Sequence, residues 1–240
     1  MIAFVAFVRS PKQAWHRDLA ARPETHAWVL NLYRAGEQHP ELSDDYFPVK
    51  HAPWPWLRDR LARHAGDERR HVRMYTRAIE GLGQPVEEMR GHDVFNEVIR
   101  SCTDARFRVA EGDAPDVVRL KIAHFCAHAY FLERRIEQSL AYHVDACVHA
   151  GRETVTPIVA RVAADEQRHV RHVHQAIGEL VDRRTASALL DLHRRGERRA
   201  NLLFSQRQVR EFLGRFPCRA DRALAWRLCA GIMERAAEHV

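Results

Sequence analysis

Paired cysteines, long apolar runs and strand-like alternation are all missing from this 240-residue chain. Its five cysteines, Cys102, Cys126, Cys147, Cys218 and Cys229, are odd in number, widely spaced and free of any CxxC pair. That excludes a disulfide framework and offers no zinc signature, so they read as buried or partly buried free thiols. No window is apolar for the length of a membrane span. The opening "MIAFVAFV" is a short apolar stretch with no basic segment before it, so a signal peptide is not expected and a cytoplasmic location is. Charge of one sign is also scarce: 38 Lys and Arg stand against 32 Asp and Glu, a formal +6. This balance suits anionic partners without requiring them, and nearly all the positive charge is arginine.

What the chain has is helical pattern. Runs rich in Ala, Leu, Arg and Glu carry apolar residues at 3.6-residue spacing, and no stretch sustains period-two alternation. The fold class is therefore all-α. The pattern predicts a helical region over 12–38, kinked at Pro23, then a break imposed by Pro40, Pro48, Pro53 and Pro55. Long helices follow over 54–81, 115–149 and 154–180, with a connecting helix over 92–112 closed by Gly112. Shorter helices interrupted near Gly196 and at "GRFPCRA" complete the chain. Four long helices make a four-helix bundle over residues 1–182, with 183–240 as a C-terminal helical extension.

The chain also repeats itself. "GDERRHVRMYTRAIEGL" at 66–82 has a near-copy, "ADEQRHVRHVHQAIGEL", at 164–180. Residues three apart share a helix face, so Glu68 with His71, and Glu166 with His169, each present a carboxylate and an imidazole to one point. Leu57, Leu61, Tyr75 and Ile79 share or adjoin the first stripe; Ile158, Val162, Val173 and Ile177 do so for the second. These faces should point inward, and a pair of metal ions would compensate the buried charge. Two Glu-x-x-His motifs plus one Glu from each of two other helices form the di-iron or di-manganese arrangement of ferritin-like bundles. Oxygen and imidazole ligands suit iron, with manganese as the alternative.

Register predicts the remaining ligands. Glu68 lies about 21 Å into its helix, and an antiparallel partner at that level is Glu24. Glu37 sits at the helix end, roughly 20 Å away by the same rise, and is the rival. Glu24, next to Pro23, also reads as a first-turn glutamate that favours a helix N-terminus. In the other hairpin, "YFLERRIEQSLAYHV" offers Glu133 and Glu137, with Glu133 favoured and Glu137 left as a supporting or solvated group. Phe125, Ala129 and Leu132 are candidate cavity walls that core packing explains equally well. Tyr46, Phe47, Trp54 and Trp56 read as a satellite core under the proline-rich loop or a lid. His64, His124, His128, His143 and His172 are assigned no chemistry.

The paired strings "DERRH" and "DEQRH" resemble the ligand motif of bacterial diiron-carboxylate oxygenases of the ferritin-like superfamily, over residues 15–180. "LERRIE" is similar to the third-helix motif of smaller ferritin-like families, including tRNA-modifying diiron hydroxylases. The resemblance implies that Glu68 and Glu166 bridge two irons, that His71 and His169 bind one each, and that Glu24 and Glu133 are terminal ligands. It further implies that Asp67 and Asp165 accept hydrogen bonds from the ligand histidines, with Arg70 and Arg168 pairing to those aspartates.

The expected function is an O2-dependent diiron oxidoreductase acting on an unidentified substrate with an electron donor, as a monomer or homodimer. Ferritin-like iron oxidation or storage is an alternative. A tRNA-modifying hydroxylase is another, since arginines cluster at 183–184, 194–195 and 198–199, but stacking aromatics are lacking and tRNA is not the favoured partner. A scaffold with a structural metal, or a dimanganese catalase, has the same ligands.

Overall fold

The computed structural model describes residues 2–38, 46–103 and 107–240, with side chains except those of 2–10 and of His92. Pro40 and part of the expected connecting helix lie outside these residues. Eight α-helices and two 3-10 turns are present among the described residues, and no strand. The helices are α1 (Ile2–Ala20), α2 (Pro23–Glu37), α3 (Pro55–Gly81), α4 (Phe95–Ser101), α5 (Pro115–His149), α6 (Thr156–Leu180), α7 (Arg183–Arg215) and α8 (Ala220–Ala237). The all-α class holds. None of these helices is long and apolar enough to cross a membrane.

The chain divides into two compact units. Unit 1 comprises Met1–Phe47, Asp59–Glu88 and Glu133–His172; unit 2 comprises Pro48–Arg58, Met89–Leu132 and Val173–Val240.

In unit 1, α2 and long stretches of α3, α5 and α6 share one core of Ala27, Leu30, Tyr75, Ala78, Ile79, Leu140, Cys147, Val155, Val159 and Val162. Burying each large apolar side chain contributes roughly 1.5–3 kcal/mol, which offsets part of the cost of the polar groups beside them. Neighbouring helices run antiparallel. Asn31 and Arg34 of α2 bond Pro85 and Thr76 in and beyond the far half of α3, and α3 meets α6 with residue 67 against 169 and 71 against 165. Two left-handed glycines end the long helices. Gly83 (φ 67°) and Gly151 (φ 64°) follow α3 and α5. In each case the next amide reaches back to the helix, from Gln84 to Ile79 and from Arg152 to Cys147, closing the paired-bond cap that a left-handed glycine permits.

In unit 2, α4 packs on α7 through Val98, Ile99 and Ala200. Two expectations are corrected here. The connecting helix shrinks to α4, which ends at Ser101, and residues 107–112 are not helical. Helix α7 runs unbroken through Gly196, whose bare Cα is what lets α4's end approach: a Cβ there would meet Thr103 Oγ1 at 2.1 Å and the Cys102 carbonyl at 3.1 Å. The predicted kink at Pro23 is a full break between α1 and α2, with Pro23 and Glu24 in α2's first turn.

Candidate metal centre

The Asp-Glu-x-Arg-His strings of the two repeats meet in unit 1, where α3 runs against α6. Leu57, Leu61, Tyr75 and Ile79 on α3, and Val162, Val173 and Ile177 on α6, are all buried, and so are Glu68, His71, Glu166 and His169. Seven chemical groups converge. Glu37, Glu68, His71 and Glu166 form one set of potential metal ligands, and His64, Glu68, Glu133 and His169 a second, each with its donor atoms within 4.8 Å of one another. Glu68 belongs to both sets. Glu166 also faces both, with Oε1 3.3 Å from His71 Nδ1 and Oε2 2.8 Å from His169 Nδ1.

The aspartates and arginines of the repeat are used crosswise. His71 Nε2 lies 3.2 Å from Asp165 Oδ2, and His169 Nε2 lies 3.2 Å from Asp67 Oδ2, so each imidazole is held by the other repeat's aspartate. Arg70 donates to Asp165 at 2.6 Å and reaches Asp67 at 2.6 Å. Arg168 donates to Asp67 at 3.1 Å and also to Asp165. An ionised aspartate only accepts, so Nε2 carries a ring proton, and Nδ1, which faces the carboxylates, would offer its lone pair once a cation displaced the proton it shares with them. Burial works against ionising Asp67 and Asp165, yet hydrogen bonds from His169 and Arg70, and from Arg70 and Arg168, hold both below the ordinary carboxylate range.

Protonation reveals how crowded with negative charge the centre is. Burial, reinforced by the charge of Glu68, raises Glu37 well above the usual range, and burial with the charges of Glu166 and Glu68 does the same to Glu133. Burial opposes the imidazolium forms, but Glu37 and Glu166 push His71 up to about 12, and Glu166 with Asp67 pushes His169 up to about 9. Burial also opposes ionisation of Glu166, yet His169 holds it well below the usual range. Protons are thus drawn in to offset four adjacent carboxylates. Some donors remain unused all the same: Glu68 Oε1, Glu166 Oε1 and both ring nitrogens of His64 are buried without a hydrogen-bond partner. His64 Nε2 sits 3.0 Å from Glu68 Oε1 and 3.2 Å from Glu133 Oε1 at angles that make no hydrogen bond. Buried polar groups left in this way are expensive, and a cation among them would satisfy all at once. These residues could hold a metal ion.

Glu68, His71, Glu133, Glu166 and His169 are brought together as expected, and Asp67, Arg70, Asp165 and Arg168 surround them. Glu137 is half-buried and belongs to neither set. Glu24 is exposed in the first turn of α2, and Glu37 takes the position assigned to it. The register estimate failed because it treated the connection between α2 and α3 as a tight turn. Instead Glu37, at the end of α2, lies against His71, and Phe47 lies against His64, 4.8 Å between rings. His64 is the residue missed altogether. Its signal was its place four residues before Glu68 on the same apolar stripe; the repeat concealed it, because Val162 stands at the matching position. Phe125, Ala129 and Leu132 are buried in unit 2. No family model, curated protein or solved structure matches this chain.

Proposed function

We propose that the centre is a dinuclear iron site in a ferritin-like four-helix bundle, and that the protein is an O2-dependent oxidoreductase of the oxygenase or hydroxylase type. The observation that carries the reading is the pair of four-donor sets that share Glu68 and are spanned by Glu166. A charge count supports it: two divalent ions would balance four carboxylates and leave all three histidines neutral. Carboxylate oxygen and imidazole nitrogen without thiolate favour iron or manganese over softer metals. When bound, two ferrous ions would supply electrons and a coordination position for O2.

The chain's own residues account for the rest. Glu37 and His71 would hold one ion and Glu133, His64 and His169 the other, with Glu68 and Glu166 facing both. Asp67 and Asp165 hold the Nε2 protons of His169 and His71 and keep Nδ1 directed inward. Arg70 and Arg168 keep those aspartates ionised. Phe47 packs edge-on against the His64 ring. Tyr75, fully buried with its hydroxyl unpartnered, stays protonated because burial and then the field of Glu37 raise its pKa well above the ordinary phenol value. It is a candidate hydrogen donor within the centre's field.

The test is O2 uptake by anaerobically iron-loaded protein. Consumption that scales with bound Fe(II) in the parent and is lost with Glu68→Ala and Glu166→Ala supports an oxygen-reactive centre. Iron that binds but leaves O2 untouched would contradict the enzymatic reading while leaving the metal site standing.

A further inference from the structure

A second group of donors lies in unit 1 and shares no residue with the carboxylate centre. His26 of α2 and His143 and Cys147 of α5 are all buried and place one donor atom each within 4.8 Å of the others. His143 and Cys147 are four apart, on one face of α5. His26 Nε2 lies 3.1 Å from His143 Nε2 and 3.5 Å from Cys147 Sγ. A tetrahedral zinc ion, with bonds of about 2.0–2.1 Å to nitrogen and about 2.3 Å to sulfur, sets two nitrogens about 3.3 Å apart and a nitrogen and sulfur about 3.5 Å apart. Both measured distances are close to that spacing.

The surroundings agree. One ring nitrogen offers a single N–H or a single lone pair, so His26 Nε2 makes at most one full-strength bond to His143 or Cys147, whereas a cation between the three would engage all of them. His143 Nδ1 is 3.2 Å from His16 Nδ1, whose Nε2 is 3.5 Å from Ser139 Oγ. With Nδ1–H donated to His16, His143 keeps its Nε2 lone pair for a metal, the outer support that ligand histidines usually have. Burial keeps the imidazoles neutral, lowering His26 to about 4 and His143 well below its usual value. It also pushes the Cys147 thiol up to about 12. Without a cation the sulfur keeps its proton; a cation would displace it.

We propose that His26, His143 and Cys147 bind one thiophilic d10 cation, zinc(II) or copper(I), with His16 orienting His143. Neutral imidazoles and a thiolate, with no carboxylate among them, suit a softer ion than the carboxylate centre does. CxxC spacing could not reveal the site, since its ligands come from two helices 117 positions apart at the closest histidine pair.

Reduced full-length apoprotein titrated anaerobically with Co(II) should develop a thiolate-to-cobalt charge-transfer band, which the thiolate-free carboxylate centre cannot give. The band should persist in Glu68→Ala and Cys126→Ser and vanish in Cys147→Ser and His26→Gln, with helicity by circular dichroism retained. If Cys147→Ser fails to fold, His26→Gln and His143→Gln carry the comparison. Displacement of cobalt by Zn(II) assigns zinc; failure of displacement, with one equivalent of Cu(I) retained against a chromophoric chelator, assigns copper(I). A parent with neither the band nor Cu(I) retention, or folded ligand variants that keep both, would overturn the site.

Discussion

His71 and His169 can present Nδ1 to the carboxylates only because Asp165 and Asp67 hold Nε2. Removing that acceptor strength should weaken metal binding without removing a ligand. Asp165→Asn is expected to lower iron affinity by about 10–100-fold, while saturating iron still restores the parent stoichiometry. Anaerobic Fe(II) titration measures both quantities, and an unchanged affinity would show that the aspartate serves only its arginine partners. At the first terminal position the expected contrast is sharper: Glu37→Ala loses bound iron, and Glu24→Ala, altering an exposed first-turn residue, retains it. The repeat made the Glu-x-x-His pairs and their Asp and Arg neighbours legible in the sequence. It hid His64 for the same reason, because symmetry directs attention to what both copies share and His64 faces Val162 in the comparison. Replacing His64 by Val, the residue the second repeat uses, should reduce iron at one position and leave the fold intact.

Helix boundaries were legible where capping chemistry is local. The prolines and glycines that bracket α3, α5 and α6 set their ends close to the expected residues. What spacing could not supply was the register of α2 against α3, which decides which glutamate enters the centre. The continuity of α7 was equally hidden, since Gly196 reads as a breaker until its contact with Thr103 is seen. Alanine at an ordinary helix position would gain about 1 kcal/mol over glycine. Here Gly196→Ala is expected to destabilise by about 1–3 kcal/mol, because the added methyl overlaps Thr103 and the Cys102 carbonyl. A urea unfolding midpoint that rises instead would show that α4's end yields freely.

Across the molecule, buried histidines whose pKa is depressed cost stability in acid. Desolvation lowers His193 to about 3, with His124 adding to the effect, and His193 lies in unit 2 outside both proposed metal sites. A base whose folded pKa is depressed contributes stability fully above its unfolded value near 6.5 and loses it as pH falls toward the folded value. Each such imidazole steepens the loss by about 1.4 kcal/mol per pH unit in that window. His193→Gln, which keeps a side chain able to bond His124, should therefore flatten the decline in stability between pH 6.5 and about 4 relative to the parent. Glu37 and Glu133 act with the opposite sign in the metal-free protein, since a raised carboxyl favours the acid side, so the difference between the two curves is the quantity to read.

The central claim is the paired metal position around Glu68 and Glu166. Anaerobic loading of the apoprotein with Fe(II), followed by Mössbauer spectroscopy after oxidation, counts the irons and reports their coupling together. The account predicts about two irons per chain as a magnetically coupled pair, absent from Glu68→Ala and Glu166→Ala. A single uncoupled iron, or iron unaffected by either substitution, would contradict it.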